Sequence, residues 1–206
     1  MVQPTLPYPI QFSVDYPDRP LNRLTTFFRI LTIIPIAIIV ALVGSGEGTR
    51  ETGAGLAGGV VVLAPLLMIL FRQKYPRWWF DWNLALLKFQ NRVTAYLFLL
   101  RDEYPSTDEE QAVQLDIPYP DVPRDLNRWL PLVKWLLALP HYIVLFFLGI
   151  ALLVVVIVSW FAILFTSRYP LGLFNFVVGT MRWFNRVEAY AFILVTDRYP
   201  PFRLGP

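Results

Sequence analysis

Two stretches of this 206-residue chain carry the same residues in the same order, so whatever unit forms must be one that the chain can build twice. Leu21-Asn22-Arg23 recurs as Leu126-Asn127-Arg128, an offset of 105 at which Arg29 also meets Lys134 and Pro35 meets Pro140. Upstream, Ile10, Phe12, Val14 and Tyr16-Pro17-Asp18 match Val113, Leu115, Ile117 and Tyr119-Pro120-Asp121 at an offset of 103. Downstream, at 94, Ile69-Leu70-Phe71, Tyr75-Pro76, Asn91-Arg92-Val93 and Ala95-Tyr96 match Ile163-Leu164-Phe165, Tyr169-Pro170, Asn185-Arg186-Val187 and Ala189-Tyr190. Asp102 and Tyr104-Pro105 match Asp197 and Tyr199-Pro200 at 95. The fall from 105 to 94 leaves 11 extra residues in the first copy. They lie in the glycine-rich stretch from Gly44 to Gly55, which reads as a mobile surface loop. The predicted organisation is a first repeat over 8–105, an acidic linker over 106–112 and a second repeat over 113–206, with the copies in a pseudo-twofold arrangement.

Composition says where such a unit resides. Hydrophobic residues make up 56 % of the chain and charged residues 16 %, against about 45–50 % and 25 % for soluble domains. Mean hydropathy is +0.49, more apolar surface than a core of this size can hide. An integral membrane protein is expected. With no cysteine and one histidine there is no disulfide framework, thiolate nucleophile, thiolate metal site or histidine-cluster metal site. No Walker loop, dinucleotide glycine pattern, Ser-His-Asp set or pair of catalytic carboxylates is evident, so neither cofactor nor metal nor catalytic residues are assigned. A nucleic-acid partner is not indicated. The first twenty residues hold five prolines and no apolar core, so a cleaved signal is not expected.

Each copy divides into three parts. The first is a short alternating segment, Ile10 to Tyr16 and Val113 to Tyr119, whose period of two predicts a half-buried strand. The two strands either pair across the repeats or lie separately as extended arms. The second part is apolar: Leu24 to Val43 and Leu56 to Phe71, about 30 and 24 Å of helix, and in the second copy an unbroken stretch from Trp129 to Phe165. That stretch is read as a hairpin turning at Gly149 or as a surface helix to Leu139 followed by one long span. Of 18 Lys and Arg, only Arg50 lies in the Gly44–Gly55 loop, so the charge rule puts both termini and the linker in the cytoplasm. Together with repeat symmetry it favours the hairpin, hence four passes. Pro35 and Pro140 would kink the first helices. The Tyr-Pro pairs at Tyr75, Tyr104, Tyr169 and Tyr199 read as helix stops with tyrosine at the headgroup belt.

The third part, Trp78 to Leu100 and Leu171 to Val195, is apolar but for one basic stripe, and predicts amphipathic helices lying in the membrane interface. The stripe supplies the candidate sites. Lys88/Arg92 and Arg182/Arg186, each pair one helical turn apart, suit the phosphate of an acidic lipid, or else anchor the helix by snorkelling. Glu188, matched by Thr94, is expected to pair with Arg182 or Arg186. Arg23, Arg29, Arg128 and Lys134 form a second repeated set, read as positive-inside anchors, with Arg29 and Lys134 deep enough to reach a buried acceptor or a lipid phosphate. His141, matched by Ile36, reads as a packed histidine.

The pattern Tyr119-Pro120, Asn127-Arg128-Trp129, Lys134-Trp135, Pro140-His141, Arg168-Tyr169-Pro170, Arg182 to Val187 and Asp197 to Phe202 resembles an uncharacterised bacterial membrane-protein family, the domain of unknown function numbered 4389. The resemblance covers nearly the whole chain as two tandem copies and implies a bacterial inner-membrane location, with no activity to carry over. The fold expected is an all-α integral membrane protein: a tandem repeat of a transmembrane or re-entrant hairpin plus an interfacial amphipathic helix, each with a short extended arm. The function expected is non-enzymatic, an accessory or scaffold subunit of a membrane assembly that contacts acidic phospholipid and has a membrane-protein partner or forms a homo-oligomer. The alternatives are a transporter, channel or lipid-translocating protein with a path between the repeats, and a membrane-shaping hairpin protein.

Overall fold

The computed structural model describes residues 8–44, 53–107 and 109–206. Two four-residue strands, β1 (Gln11–Val14) and β2 (Val113–Asp116), pair antiparallel with Phe12 opposite Leu115. The apolar residues of both strands are buried and their polar neighbours exposed, the period-two pattern of a sheet with one covered face. Of the two expectations for the arms, pairing is the one observed. Everything else is helix or loop: α1 (Arg23–Phe27), α2 (Arg29–Gly44), α3 (Gly53–Arg72), α4 (Arg77–Leu97), α5 (Val122–Asp125), α6 (Pro131–Leu137), α7 (Leu139–Thr166) and α8 (Leu171–Ala191). The expected Gly44–Gly55 loop lies largely outside the described residues, and α3 already includes Gly53 to Gly55.

The arms dock far along the chain. Tyr16, after β1, donates its hydroxyl to the carbonyl of Tyr169 at the corner between α7 and α8, and packs edge-on against Phe174 at 5.0 Å. Tyr119, after β2, donates to the carbonyl of Tyr75 at the corner between α3 and α4, and packs edge-on against Phe80 at 5.2 Å. Asn22 caps α1 by accepting from Leu24 N at 2.9 Å, and Asn127 accepts from Trp129 N at the same distance. The arginine after each asparagine then reaches the far corner. Arg23 donates to Ser167 Oγ (2.6 Å) and the Phe165 carbonyl (3.0 Å), and Arg128 to the carbonyls of Leu70 (2.5 Å) and Phe71 (3.3 Å). Each guanidinium thus meets the last carbonyls of a long helix, where the chain runs short of N–H donors and the helix dipole is negative. The corners turn through left-handed residues, Gln73 (φ 46°) and Ser167 (φ 57°); Leu99 (φ 64°) and Leu194 (φ 63°) do the same beyond α4 and α8.

At the centre, α4 and α8 meet through Asn91 and Asn185. Each Nδ2 donates to the other's Oδ1, at 2.8 and 2.7 Å, and to the carbonyl four residues back on its own helix, Leu87 or Met181. Both amides are buried and satisfied.

The structure corrects four expectations. The hairpin about Gly149 is not there: α7 runs unbroken for 28 residues, about 42 Å. A single glycine flanked by helix-forming apolar residues costs about 1 kcal/mol but supplies no turn. The short helix α6 followed by one long helix is what forms, and the four-pass scheme does not follow. Pro140 does not kink a helix; it stands in the first turn of α7, where its missing N–H has no partner to lose. Tyr75 and Tyr169 are buried core residues rather than headgroup-belt tyrosines, Tyr75 donating to the Ile193 carbonyl at 3.0 Å. Finally, α8 is an interior helix. Among its side chains, Leu171, Asn175 and Phe184 are exposed, and the rest pack against β1, α6, α7 and the C-terminal tail.

Among the described residues, α7 is the one helix long and apolar enough to cross a membrane, which points to membrane association. It packs lengthwise. His141, Leu145, Leu148, Leu152, Val155, Ser159 and Ile163, at spacings of three or four, face the body along its whole length. The opposite face, including Phe146, Ile150, Leu153, Ile157, Phe161 and Phe165, is exposed.

The asparagine pair gives a direct test. Asn91→Ala leaves a buried amide unpartnered and lowers stability by about 1–3 kcal/mol, whereas the double replacement Asn91→Leu/Asn185→Leu costs less than the sum of its single changes. Thermal unfolding of the three variants in mild detergent measures the coupling.

Candidate functional site

Two deep cations organise equivalent places in the fold. Arg29, at the start of α2, is 2 % exposed and pairs with Asp102 at 2.5 Å. It also donates to the Arg101 carbonyl at 3.2 Å and stacks over the Tyr96 ring at 3.9 Å. Lys134, in α6, is fully buried and pairs with Asp197 at 2.7 Å, donating also to the Thr196 carbonyl at 2.8 Å, with Tyr190 5.2 Å from its ammonium. Burial pulls the Lys134 ammonium below its usual value, and the bond and charge of Asp197 counter it. The same carboxylates accept the backbone N–H of Asn22 (2.7 Å) and Asn127 (2.5 Å). Each aspartate therefore ties the segment after a long helix to the start of an apolar one. The expected buried acceptor for Arg29 and Lys134 exists and is a carboxylate of the chain itself.

The helical stripe divides differently. Arg182 donates to the carbonyls of Phe12 (3.0 Å) and Leu204 (2.7 Å). Arg186, fully buried, donates to Gly205 (3.0 Å) and Arg203 (3.4 Å) and lies over Tyr8 at 5.6 Å. Both guanidiniums hold the C-terminal tail on α8, where a Cβ on Gly179 would come within 2.8 Å of Leu204 Cβ. The hydrogen bonds of this pair among the described residues all go to backbone carbonyls. In α4, Arg92 donates to the Ser106 carbonyl at 2.8 Å, and Lys88 forms no hydrogen bond or ion pair among the described residues. The structure does not bring the six candidate residues to one place. Glu188 has no ion pair with Arg182 or Arg186; burial alone pushes its carboxyl up to about 7. His141 is packed as expected, stacked on Phe202 at 4.0 Å and accepting from Trp183 Nε1 at 3.0 Å.

Residues 129–203 match the family model of a domain of unknown function, DUF4389. The match runs from Trp129, ahead of α6, to Arg203 in the C-terminal tail and so takes in Lys134, Asp197, Arg182, Arg186 and His141. It supports the family resemblance for the second half of the chain. Curated proteins and solved structures give no match.

What the sequence reading missed is the pair of aspartates. Their match at an offset of 95, beside the match of Arg29 to Lys134 at 105, was the available signal, since a repeated buried cation needs a repeated anion. Also missed is a cleft of about 730 Å³ at the α3–α4 corner, lined by Arg72, Lys74, Tyr75 and Trp78 on one side and Tyr119 and Val122 on the other.

Two variants test these electrostatics. Asp197→Ala strands a buried ammonium and costs about 3–5 kcal/mol, while Lys134→Met costs less because Asp197, one-fifth exposed, is rehydrated. Chemical denaturation of both variants should rank them in that order. For Glu188, the folded-state carboxyl titrates above its ordinary value of 4.5, so its contribution is intact below 4.5 and is lost as pH rises through about 7. Glu188→Gln should therefore melt with the wild type at pH 4 and be more stable at pH 8 by about 3 kcal/mol; unfolding midpoints across that range decide it.

Proposed function

We propose that the chain is a duplicated, membrane-embedded unit serving as a non-enzymatic accessory or scaffold subunit of a bacterial inner-membrane assembly, in contact with acidic phospholipid. One observation carries the membrane part: charge and apolarity are turned inside out. In α6 the buried charged residue is Lys134, while Leu132, Val133, Trp135 and Leu136 around it are exposed. At the α1–α2 junction Arg29 is buried, while Phe27, Phe28, Ile30 and Leu31 are exposed. In water both segments would be oriented the other way; hydrocarbon around the protein reverses the preference. The outer face of α7 continues the same exposed apolar surface.

The duplication is supported by contacts that map onto themselves. Phe12 and Leu115 are matched in sequence and paired across the strands; Asn91 and Asn185 are matched and bonded reciprocally. Self-matched pairs of this kind belong on a twofold axis. Around that axis each arm docks on the opposite unit's corner. Lys88, without a hydrogen bond or ion pair among the described residues, is the residue of the original stripe still suited to an acidic headgroup. The scaffold assignment follows from polar side chains spent on holding the two units together, with Arg29 and Lys134 closed rather than lining a path.

A second reading has its own support. Because α7 exposes one face along its full length, it suits an apolar wedge in one leaflet as well as a span, which is the geometry of a membrane-shaping protein.

Extraction from native membranes into lipid nanodiscs tests the primary reading. The expected result is a stoichiometric membrane-protein partner that co-purifies; recovery of a free monomer or a pure homo-oligomer would overturn it. Vesicle curvature at high protein density tests the second: unchanged vesicle diameters remove it.

A further inference from the structure

The cleft at the α3–α4 corner belongs to neither buried cation. It is about 730 Å³, within the range of small-molecule sites. Its walls are apolar and aromatic, from Met68, Tyr75, Trp78, Tyr119 and Val122. Its rim carries Arg72 and Lys74, exposed and without a hydrogen bond or ion pair among the described residues. The acid of the lining, Asp121, is already engaged by Arg124 at 3.5 Å. The rim is therefore net positive. Leu67 and Phe71, the exposed neighbours of Met68 on α3, and the exposed Trp78 join the cleft to the apolar outer surface.

The matching place at the α7–α8 corner is built from Tyr16, Arg19, Arg168 and Tyr169 but encloses about 230 Å³ and has a more polar lining than the large cleft. Where Val122 lines the large cleft, Arg19 stands at the matched position of the small one. One of the two corners is thus enlarged and apolar, the other nearly closed.

We propose that the large cleft binds one acyl chain of an acidic phospholipid, with its phosphate held between Arg72 and Lys74. An apolar groove open to the lipid-facing surface admits a chain sideways, and a phosphate satisfies two unpaired cations at its rim. The proposal deepens the acidic-lipid contact of the preceding reading and depends on it for the supply of lipid. It places that contact at the arm-to-corner seam, so the bound chain would bridge the two units.

Full-length protein, purified in mild detergent, is incubated with phosphatidic acid or with phosphatidylcholine of the same acyl chains, and retained lipid is counted by native mass spectrometry. One phosphatidic acid per chain is expected, with at least tenfold less phosphatidylcholine. Arg72→Glu/Lys74→Glu should reduce retention at least tenfold, and Met68→Trp, which fills the cleft without changing charge, should do the same. Arg203→Glu, which removes an exposed cation in the tail, should leave retention unchanged. Equal retention of the two lipids, no retained lipid, or equal loss in Arg203→Glu would overturn the proposal. Circular dichroism of each variant confirms that loss is not unfolding, and a second filling variant, Val122→Phe, gives the same readout if Met68→Trp misfolds. Alkaline extraction of native membranes separates the two readings: release of the protein ends the membrane-embedded reading, whereas lipid retention by purified protein bears on the cleft alone.

Discussion

A cation buried beside apolar side chains needs polar partners in contact, and for Arg29 and Lys134 that partner is a carboxylate whose position sets how distant segments meet. Arg29 and Lys134 have their carboxylates in Asp102 and Asp197, which lie after the long helices α4 and α8. Satisfying each pair pins the segment that follows one helix to the segment that opens another, with the aspartate also taking the N–H of Asn22 or Asn127. Once the cation points inward, the rotation of its helix is fixed, and leucine, phenylalanine and tryptophan neighbours are turned outward. The exposed apolar surface is thus the geometric counterpart of the buried charge. A pair of this kind adds little net stability, but losing one member is costly, so its value lies in orientation.

The sequence foretold the arms, the Asn-Arg signals and the order of the parts, because strands alternate and caps are local. Matching offsets also identified Asn91/Asn185 and Arg29/Lys134 as equivalent positions before their contacts were known. What was not legible has a common cause. Arg23, Arg128, Arg182 and Arg186 donate largely to backbone carbonyls, which every residue carries and which therefore leave no trace in composition. A basic stripe looks the same whether it will meet lipid phosphates or the tail of its own chain. The continuity of α7 was similarly ambiguous: Gly149 meets no neighbour that would reveal a turn or forbid one.

The two halves are equivalent in their joints and different in their surfaces. The second has His141 stacked under Phe202 and a tail closing over Gly179, while the first has Ile36 and a half-buried Lys88. The family match falls on the more enclosed half.

The docking of each arm on a distant corner also bears on how the chain is threaded. Tyr8, near the start, donates its hydroxyl to the carbonyl of Arg198, near the end, at 2.9 Å. The segment before β1 and the tail after α8 therefore lie side by side, as neighbours in space though extremes in sequence. Midway along the chain, Arg92 donates to the Ser106 carbonyl and Gln111 Nε2 to the Tyr104 carbonyl, both at 2.8 Å, so the segment before β2 is held by its own contacts.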